Sequence, residues 1–522
     1  MAPRLSRDTL PQIVGDTDNS AASSADSKIG IVHLGWGGFA RAHIGTILND
    51  LPAAAKQEWG VSAISMRSPT IRDQLAPQDG LYTVTERRAE GDKTQVVDVV
   101  KETMVAPEER ERVVARLANP DTKMVSMTIT QKGYITQEPG ADATMHSMVT
   151  EAIKRRKEAG VAPLAVVCLD NIQSNGDFTK KTLVDYAAQT DPELASYIEQ
   201  NVAFPNTMVD RITPKPKSDD LDVLADRIGV RDEAAVAAEP YRQLVIEKTP
   251  DSVAMPPLGD VAGVKIVDDV KPFEAAKIKM LNGAHMMMGA TGRVAGFMTV
   301  DECMADEDMG AFAKRFMSEV AATIDPIPGT NMQVYADDLA DRFSNPRMSD
   351  DVDRLANDTS KKVHPRLFDA LTDSLKKGTP NDALAVAAAG WVRFVSGEAP
   401  GHATPKSDGD VVGMTDKGRA YVVNDPIAEK LQAAARANPG NPDKLFEAVG
   451  LNLGDYGAEG KAMRRKIVTA LETMNKDSSL SAIRSVTMRL DQLPVPVVPE
   501  ADRGVDAPKA GPDNRPQPRP GN

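Results

Sequence analysis

Lys28-Ile29-Gly30-Ile31-Val32-His33-Leu34 runs directly into Gly35-Trp36-Gly37-Gly38-Phe39-Ala40-Arg41-Ala42-His43, and an apolar-periodic segment follows over 44–51. A β-branched run, a glycine turn and an amphipathic stretch in that order read as strand, turn and helix. Gly35 permits a tight turn, Gly37 lets backbone N–H groups approach a pyrophosphate, and small Ala40 stands where a third glycine usually meets the strand. Alone, the turn is also compatible with an ordinary glycine-rich loop. Its place after the first strand favours a dinucleotide. Arg41 and His43 either orient phosphate or ribose or cap and pack the first helix; for His43 the structural role is favoured.

Outward from this turn, Val61–Met66, Thr94–Val99, Met124–Thr130 and Leu164–Leu169 read as further strands separated by amphipathic segments. That alternation implies βαβ units and a mostly parallel sheet. From Lys271 the strand signals fade into helical patterns at Val300–Ile324, Asp350–Leu375, Asn381–Val395 and Pro426–Ala437. The expected fold class is α/β: a Rossmann-like domain over 28–270 and a mainly α-helical domain over 271–492. Residues 1–27, rich in Ser, Asp and Ala, and the Pro-rich stretch 493–522 are expected to be disordered. At the end of the second strand, Ile64-Ser65-Met66-Arg67-Ser68 lacks the carboxylate that reads a ribose 2′-hydroxyl. Arg67 and Ser68 suit a 2′-phosphate, so both NAD and NADP stay open.

At 522 residues, 41% hydrophobic, the chain is long enough to bury two cores, and a net charge of −13 disfavours nucleic acid or an anionic membrane. Cys168 and Cys303 stand alone, without metal-ligand or disulfide spacing, which suits a reducing, cytoplasmic setting. No signal peptide or apolar span is expected, and nothing in the sequence fixes the oligomeric state.

Glu274-Ala275-Ala276-Lys277-Ile278-Lys279-Met280-Leu281-Asn282-Gly283-Ala284-His285-Met286-Met287-Met288 carries the chemistry. On a regular α-helix Lys277, His285 and Asn282 fall at roughly 0°, 80° and 140°, so one broad face presents all three. The neighbours are apolar nearly all round, as in a buried helix. Burial disfavours an ammonium, which would make Lys277 a general base; Asn282 would donate to an oxygen gaining charge, and His285 would place a neighbouring hydroxyl. The bland counterparts are a snorkelling lysine and a satisfied core histidine, and the methionine run reads as packing.

This stretch resembles the Lys-x4-Asn-x2-His motif of the polyol-specific long-chain dehydrogenase/reductase (mannitol dehydrogenase) family, which includes mannitol 2-dehydrogenase and fructuronate reductase. Further matches follow in order over about 28–440: Gly35-x-Gly37-x-Phe39-x-Arg41-Ala42-His43, Gln78-Asp-Gly-Leu-Tyr-Thr83, Lys132-Gly-Tyr134, Asp170-Asn171-Ile-x-x-Asn175-Gly176, Phe204-Pro-Asn-Thr-Met-Val-Asp210-Arg211-Ile-Thr-Pro214 and Arg342-Phe-x-Asn345-Pro346. The resemblance implies a substrate cleft between the two domains, no metal, and Gly35, Gly37, Phe39 and Arg41 at the cofactor. It implies Lys277 as catalytic base, Asn171 and Asn282 polarising the reacting oxygen, and His285 positioning substrate. Asp210, Arg354 and Lys362 would meet the remaining hydroxyls or a carboxylate; alternatively, Asp210 and Arg211 form a structural ion pair and Arg354 and Lys362 are solvated charges. Ala284, Gln131 and Met286–Met288 depart from the residues common in relatives.

The function these residues imply is transfer of hydride between NAD, or NADP, and a sugar substrate, interconverting a secondary alcohol of a polyol or aldonate with the corresponding ketose or keto-hexuronate. A non-catalytic dinucleotide-binding sensor or scaffold is the alternative, and intact Lys277, Asn171, Asn282 and His285 sit awkwardly with it.

Overall fold

The computed structural model describes residues 2–19, 27–135, 143–215, 219–398, 401 and 409–490. The chain divides between Glu274 and Ala275 into two compact units, against the break expected after residue 270. The expected Pro-rich tail lies outside the described residues.

Among the described residues, twelve strands belong to the first unit: β1 Thr17–Asp18, β2 Ile29–Leu34, β3 Gly60–Ser65, β4 Tyr82–Arg88, β5 Gly91–Val97, β6 Val100–Val105, β7 Met124–Met127, β8 Ala165–Cys168, β9 Thr207–Asp210, β10 Val236–Ala238, β11 Gln243–Glu247 and β12 Val264–Val267. Five form a wholly parallel sheet in the order β6-β3-β2-β7-β8. The chain builds outward from β2 to β6, then returns to β7, so the strand order reverses beside β2. Both faces are covered: Ile31 packs into one apolar cluster, Val32 and Leu34 into another, and all three are fully buried. This is why β2 reads as a continuous apolar run, each such side chain contributing about 1.5–3 kcal/mol.

Two expectations change here. Thr94–Val99 does not join the parallel sheet; its residues fall largely in β5, antiparallel to β4 across a hairpin whose turn is Ala89-Glu90, in a side sheet ordered β1-β5-β4-β10. The third strand of the main sheet is β6. The N-terminal stretch is likewise structured over 2–19, while 20–26 fall outside the described residues. Leu5 is fully buried, Leu10 and Ile13 pack beside it against a cluster with Val96, Ile228 and Val230, and β1 pairs with β5. Polar composition hid three apolar residues spaced to cap that cluster.

The second unit is helical, with one hairpin of Val412–Met414 and Ala420–Val422 among its described residues. Its central helix, Asp382–Ser396, is buried at every position from Ala383 onward, and Trp391 packs edge-on against Phe368. The long helix expected over Asp350–Leu375 is interrupted. Val352–Leu355 and Thr359–Val363 are separated by Asp358 at φ +54, and Pro365 lies in a π turn, His364–Phe368, before the helix Asp369–Lys377. Val300–Ile324 similarly splits at Asp306, which caps the second piece by accepting from Met309 N at 3.0 Å. Among the described residues no helix is long and apolar enough to cross a membrane.

Candidate active site

The glycine turn leaves the parallel sheet where the strand order reverses. Gly35 has φ +88, and a Cβ there would lie 2.4 Å from Thr128 O, so only glycine fits. Gly37 is exposed at the start of helix Gly38–Ala42. The turn is tied from below: Thr128 Oγ1 donates to Gly35 O at 2.7 Å and meets His33 Nε2 at 3.1 Å, while His33 Nδ1 meets Ser126 Oγ at 2.8 Å. With the Thr128 proton spent on Gly35, Nε2 carries the imidazole proton and Nδ1 accepts. Burial holds this histidine neutral, its pKa lowered to about 3. His33 is a residue the sequence left without a role.

Arg41 is 7% exposed, yet its Nε and Nη1 find no hydrogen-bond partner among the described residues, and burial lowers its pKa. A buried guanidinium with unpaired nitrogens beside an open glycine turn fits an anionic, hydrogen-bonding ligand such as a dinucleotide. Phe39 stacks on His43 with centroids 5.1 Å apart, and His43 Nε2 meets Gln243 O at 2.8 Å, which gives His43 the packing role favoured from sequence. Arg67 and Ser68 are both exposed just beyond β3.

Several motif residues prove to be scaffold. Asp170 accepts from Ile129 N at 2.8 Å, Thr130 N at 3.0 Å and Tyr134 Oη at 2.7 Å, holding the loop after β7 against the loop after β8. Asn175 Nδ2 donates to Cys168 O, Asp170 O and Thr207 Oγ1, and its Oδ1 accepts from Thr207 N. Asn171 sits exposed between these anchors. Glu274 accepts from Ser174 N at 3.1 Å, fastening the same loop to the helix Lys271–Ala276. Asp210, 3% exposed, ends β9. Arg211 pairs with Glu86 at 3.0 Å rather than serving as the partner of Asp210, and it also donates to Ala42 O, Thr46 Oγ1 and Glu239 O.

In the second unit the helix with Lys277 is not regular. Lys277–Asn282 is a π turn, Gly283–Met287 is α-helical and Met288–Gly292 is again π. A π turn closes its hydrogen bonds five residues on, so Lys277 and Asn282 stack as i and i+4 do on an α-helix, instead of about 140° apart. His285 follows one α turn later. Lys277 is 5% exposed and His285 7%; Asn282 is partly exposed. Met286, Met287 and Met288 are buried packing, as read from the sequence.

His285 lies 4.6 Å from the Phe343 ring, and its Nε2 has no partner among the described residues. Burial lowers its pKa to about 4; Asp350 opposes this, while Arg342, Arg354 and Arg366 reinforce it. Arg354 is largely exposed and bonded to Asp350 through Nε at 2.9 Å. Lys362 Nζ donates to Asn357 O at 2.7 Å, and burial followed by Arg366 lowers its pKa. The two substrate candidates thus share one cationic neighbourhood with His285. Arg342 and Arg366 complete it. Arg342 lay in a quoted motif and Arg366 lies one turn beyond Lys362, but neither drew a role from sequence.

A switch-point glycine turn in one unit and a lysine–amide–imidazole series, its lysine and imidazole buried, in the other define a two-domain protein of the dinucleotide-binding class. The mannitol dehydrogenase Rossmann domain family matches residues 29–259, and the mannitol dehydrogenase C-terminal domain family matches 269–475. Mannitol 2-dehydrogenase of Aspergillus clavatus is 34% identical over 487 residues, covering 87% of this chain and 92% of that protein. The Aspergillus oryzae enzyme of the same name is 33% identical over 515 residues, covering 92% and 99%. A solved D-sorbitol dehydrogenase in substrate-free form superposes with a TM-score of 0.82 at 27% identity, covering 92% of this chain and 100% of that one. The Pseudomonas fluorescens mannitol 2-dehydrogenase in ternary complex with NAD and D-mannitol gives 0.73 at 26%, covering 93% and 100%. The chain belongs to the mannitol dehydrogenase family and is an oxidoreductase acting on CH–OH groups.

Proposed function

We propose that this protein interconverts a secondary alcohol of a polyol or aldonate with the corresponding ketose or keto-hexuronate, using a nicotinamide dinucleotide, and that Lys277 is its general base and acid. The observation that carries the reading is the π turn Lys277–Asn282, whose pitch brings buried Lys277 and partly exposed Asn282 toward one face of the helix. In oxidation Lys277 Nζ takes the hydroxyl proton and in reduction it returns it. The amides of Asn282 and Asn171 are assigned to the oxygen on which charge develops, and His285 to an adjacent hydroxyl. Asp210, Arg354 and Lys362 are assigned to the rest of the substrate.

Gly35, Gly37, Phe39 and Arg41 would hold the dinucleotide, whose nicotinamide exchanges the hydride when bound. NAD is the cofactor in the solved P. fluorescens relative. Exposed Arg67 and Ser68, with no carboxylate in their place, support acceptance of NADP as well.

The test is a spectrophotometric panel of mannitol, fructose, fructuronate and tagaturonate with both cofactors in each redox state, on wild type and Lys277→Ala. Turnover by the wild type and its loss in a variant that still binds NADH is the expected result. Absence of turnover with every polyol and keto-sugar, despite cofactor binding, overturns it.

A further inference from the structure

Several cations of the second unit are matched by acids. Lys279 meets Asp373 at 2.7 Å, Lys377 meets Asp325 at 2.7 Å, and Arg354 is held by Asp350. Arg366 departs from this pattern. It is only partly exposed, and its side chain makes no hydrogen bond or ion pair among the described residues. The charged groups that bear on it, Arg354 and Lys362, are of the same sign, and burial together with Arg354 lowers its pKa. Arg366 is in turn the foremost charge acting on Lys362, and it bears on His285 as well.

Its position is fixed by backbone. Arg366 belongs to the π turn His364–Phe368, and a Cβ on Gly283 would stand 2.4 Å from Arg366 O. Gly283 follows Asn282 and lies two residues before His285, so the turn with Arg366 abuts the turn with the proposed chemistry. A glycine there is what allows this approach.

A guanidinium drawn partly out of water, among charges of its own sign, is costly unless a counter-charge arrives. A neutral hexitol brings none. A carboxylate does, and its two oxygens match the planar fork of an arginine. We propose that Arg366 is an anion-binding residue of the substrate site, acting beside Lys362, and that the substrate is a sugar acid whose terminal carboxylate it holds. This rests on the reading of the chain as a polyol or keto-sugar oxidoreductase.

The test compares kcat/KM for fructuronate, fructose and fructose 6-phosphate in wild type, Arg366→Gln and Arg366→Lys. Wild type is expected to favour fructuronate. Arg366→Gln lowers the ratio of acid to neutral kcat/KM by about 10- to 100-fold, mainly through KM, and Arg366→Lys restores most of it. A wild type that prefers fructose, or a ratio unchanged in Arg366→Gln, overturns the inference and leaves the oxidoreductase reading standing. Preference for the phosphate ester overturns the carboxylate assignment. Failure to reduce any of the three overturns the reading of the site itself, and the wild-type arm decides even where Arg366→Gln does not fold.

Discussion

Asp232 in the first unit and His285 in the second are both withdrawn from water, at 1% and 7% exposure, but their surroundings differ. Asp232 accepts from Gln78 Nε2 at 2.7 Å, Thr83 N at 2.6 Å, Thr83 Oγ1 at 2.7 Å and Ala234 N at 2.8 Å. Its lone pairs are spent inside the protein. His285 leaves Nε2 unpaired and faces three arginines against one aspartate. A polar group saturated by its own chain rigidifies the fold, whereas one left wanting marks where a ligand completes the set. Arg41, orphaned beside the glycine turn, belongs with His285; His33 and Asp170, fully bonded, belong with Asp232.

The widest gap between the two kinds of site is expected at Lys277. Lys277→Ala removes the proposed proton acceptor and lowers kcat by about 10²–10⁴-fold, while the melting temperature moves little. Single-turnover rates beside calorimetry check both halves. A variant that melts early yet keeps its rate makes Lys277 a structural residue and erases the contrast.

Asp232→Ala tests the other side. Four donors lose their acceptor, and the expected loss of stability is about 3–5 kcal/mol, seen as a lower denaturation midpoint in urea. If the variant folds with wild-type stability, saturation is not what Asp232 contributes.

What was legible in the sequence follows the same division. The strand, glycine turn and helix around Gly35 were readable because period and glycine placement are local. The motif Gln78 to Thr83 was recognisable, but its purpose was not, since Asp232 lies far along the chain. Lys277, Asn282 and His285 were picked out together, yet on an α-helical wheel that the π turn replaces; no residue in 277–282 announces the change of pitch. Arg366 was invisible because lacking a partner is a property of tertiary surroundings. Residues 2–19 were misread as disordered because composition outweighed Leu5, Leu10 and Ile13.

Acid sharpens the comparison at intermediate size. His33 and His43 are held at about 3 and His285 at about 4 by burial, all below the usual 6.5. The unfolded chain therefore takes up these protons first. Stability is complete above about pH 6.5 and falls with acid toward the folded values, each histidine contributing about 1.4 kcal/mol per pH unit within its window. His33→Gln removes one such share, so its stability should decline less steeply than wild type between neutral pH and pH ~5. Equal slopes in calorimetry would show that His33 is not kept neutral.

The smallest effect is expected at Arg354. Its side chain is 60% exposed and its bond is to Asp350 within one helical turn, a surface pair of the kind that contributes little. Arg354→Ala also relieves Arg366 of a like charge. The two terms oppose each other, and thermal denaturation should shift by less than about 0.5 kcal/mol in either direction. A loss several times larger would place Arg354 among the saturated, fold-defining groups. In that case the cations around His285 form part of the scaffold, and the rule that unpaired polar groups mark the ligand would fail where it matters most.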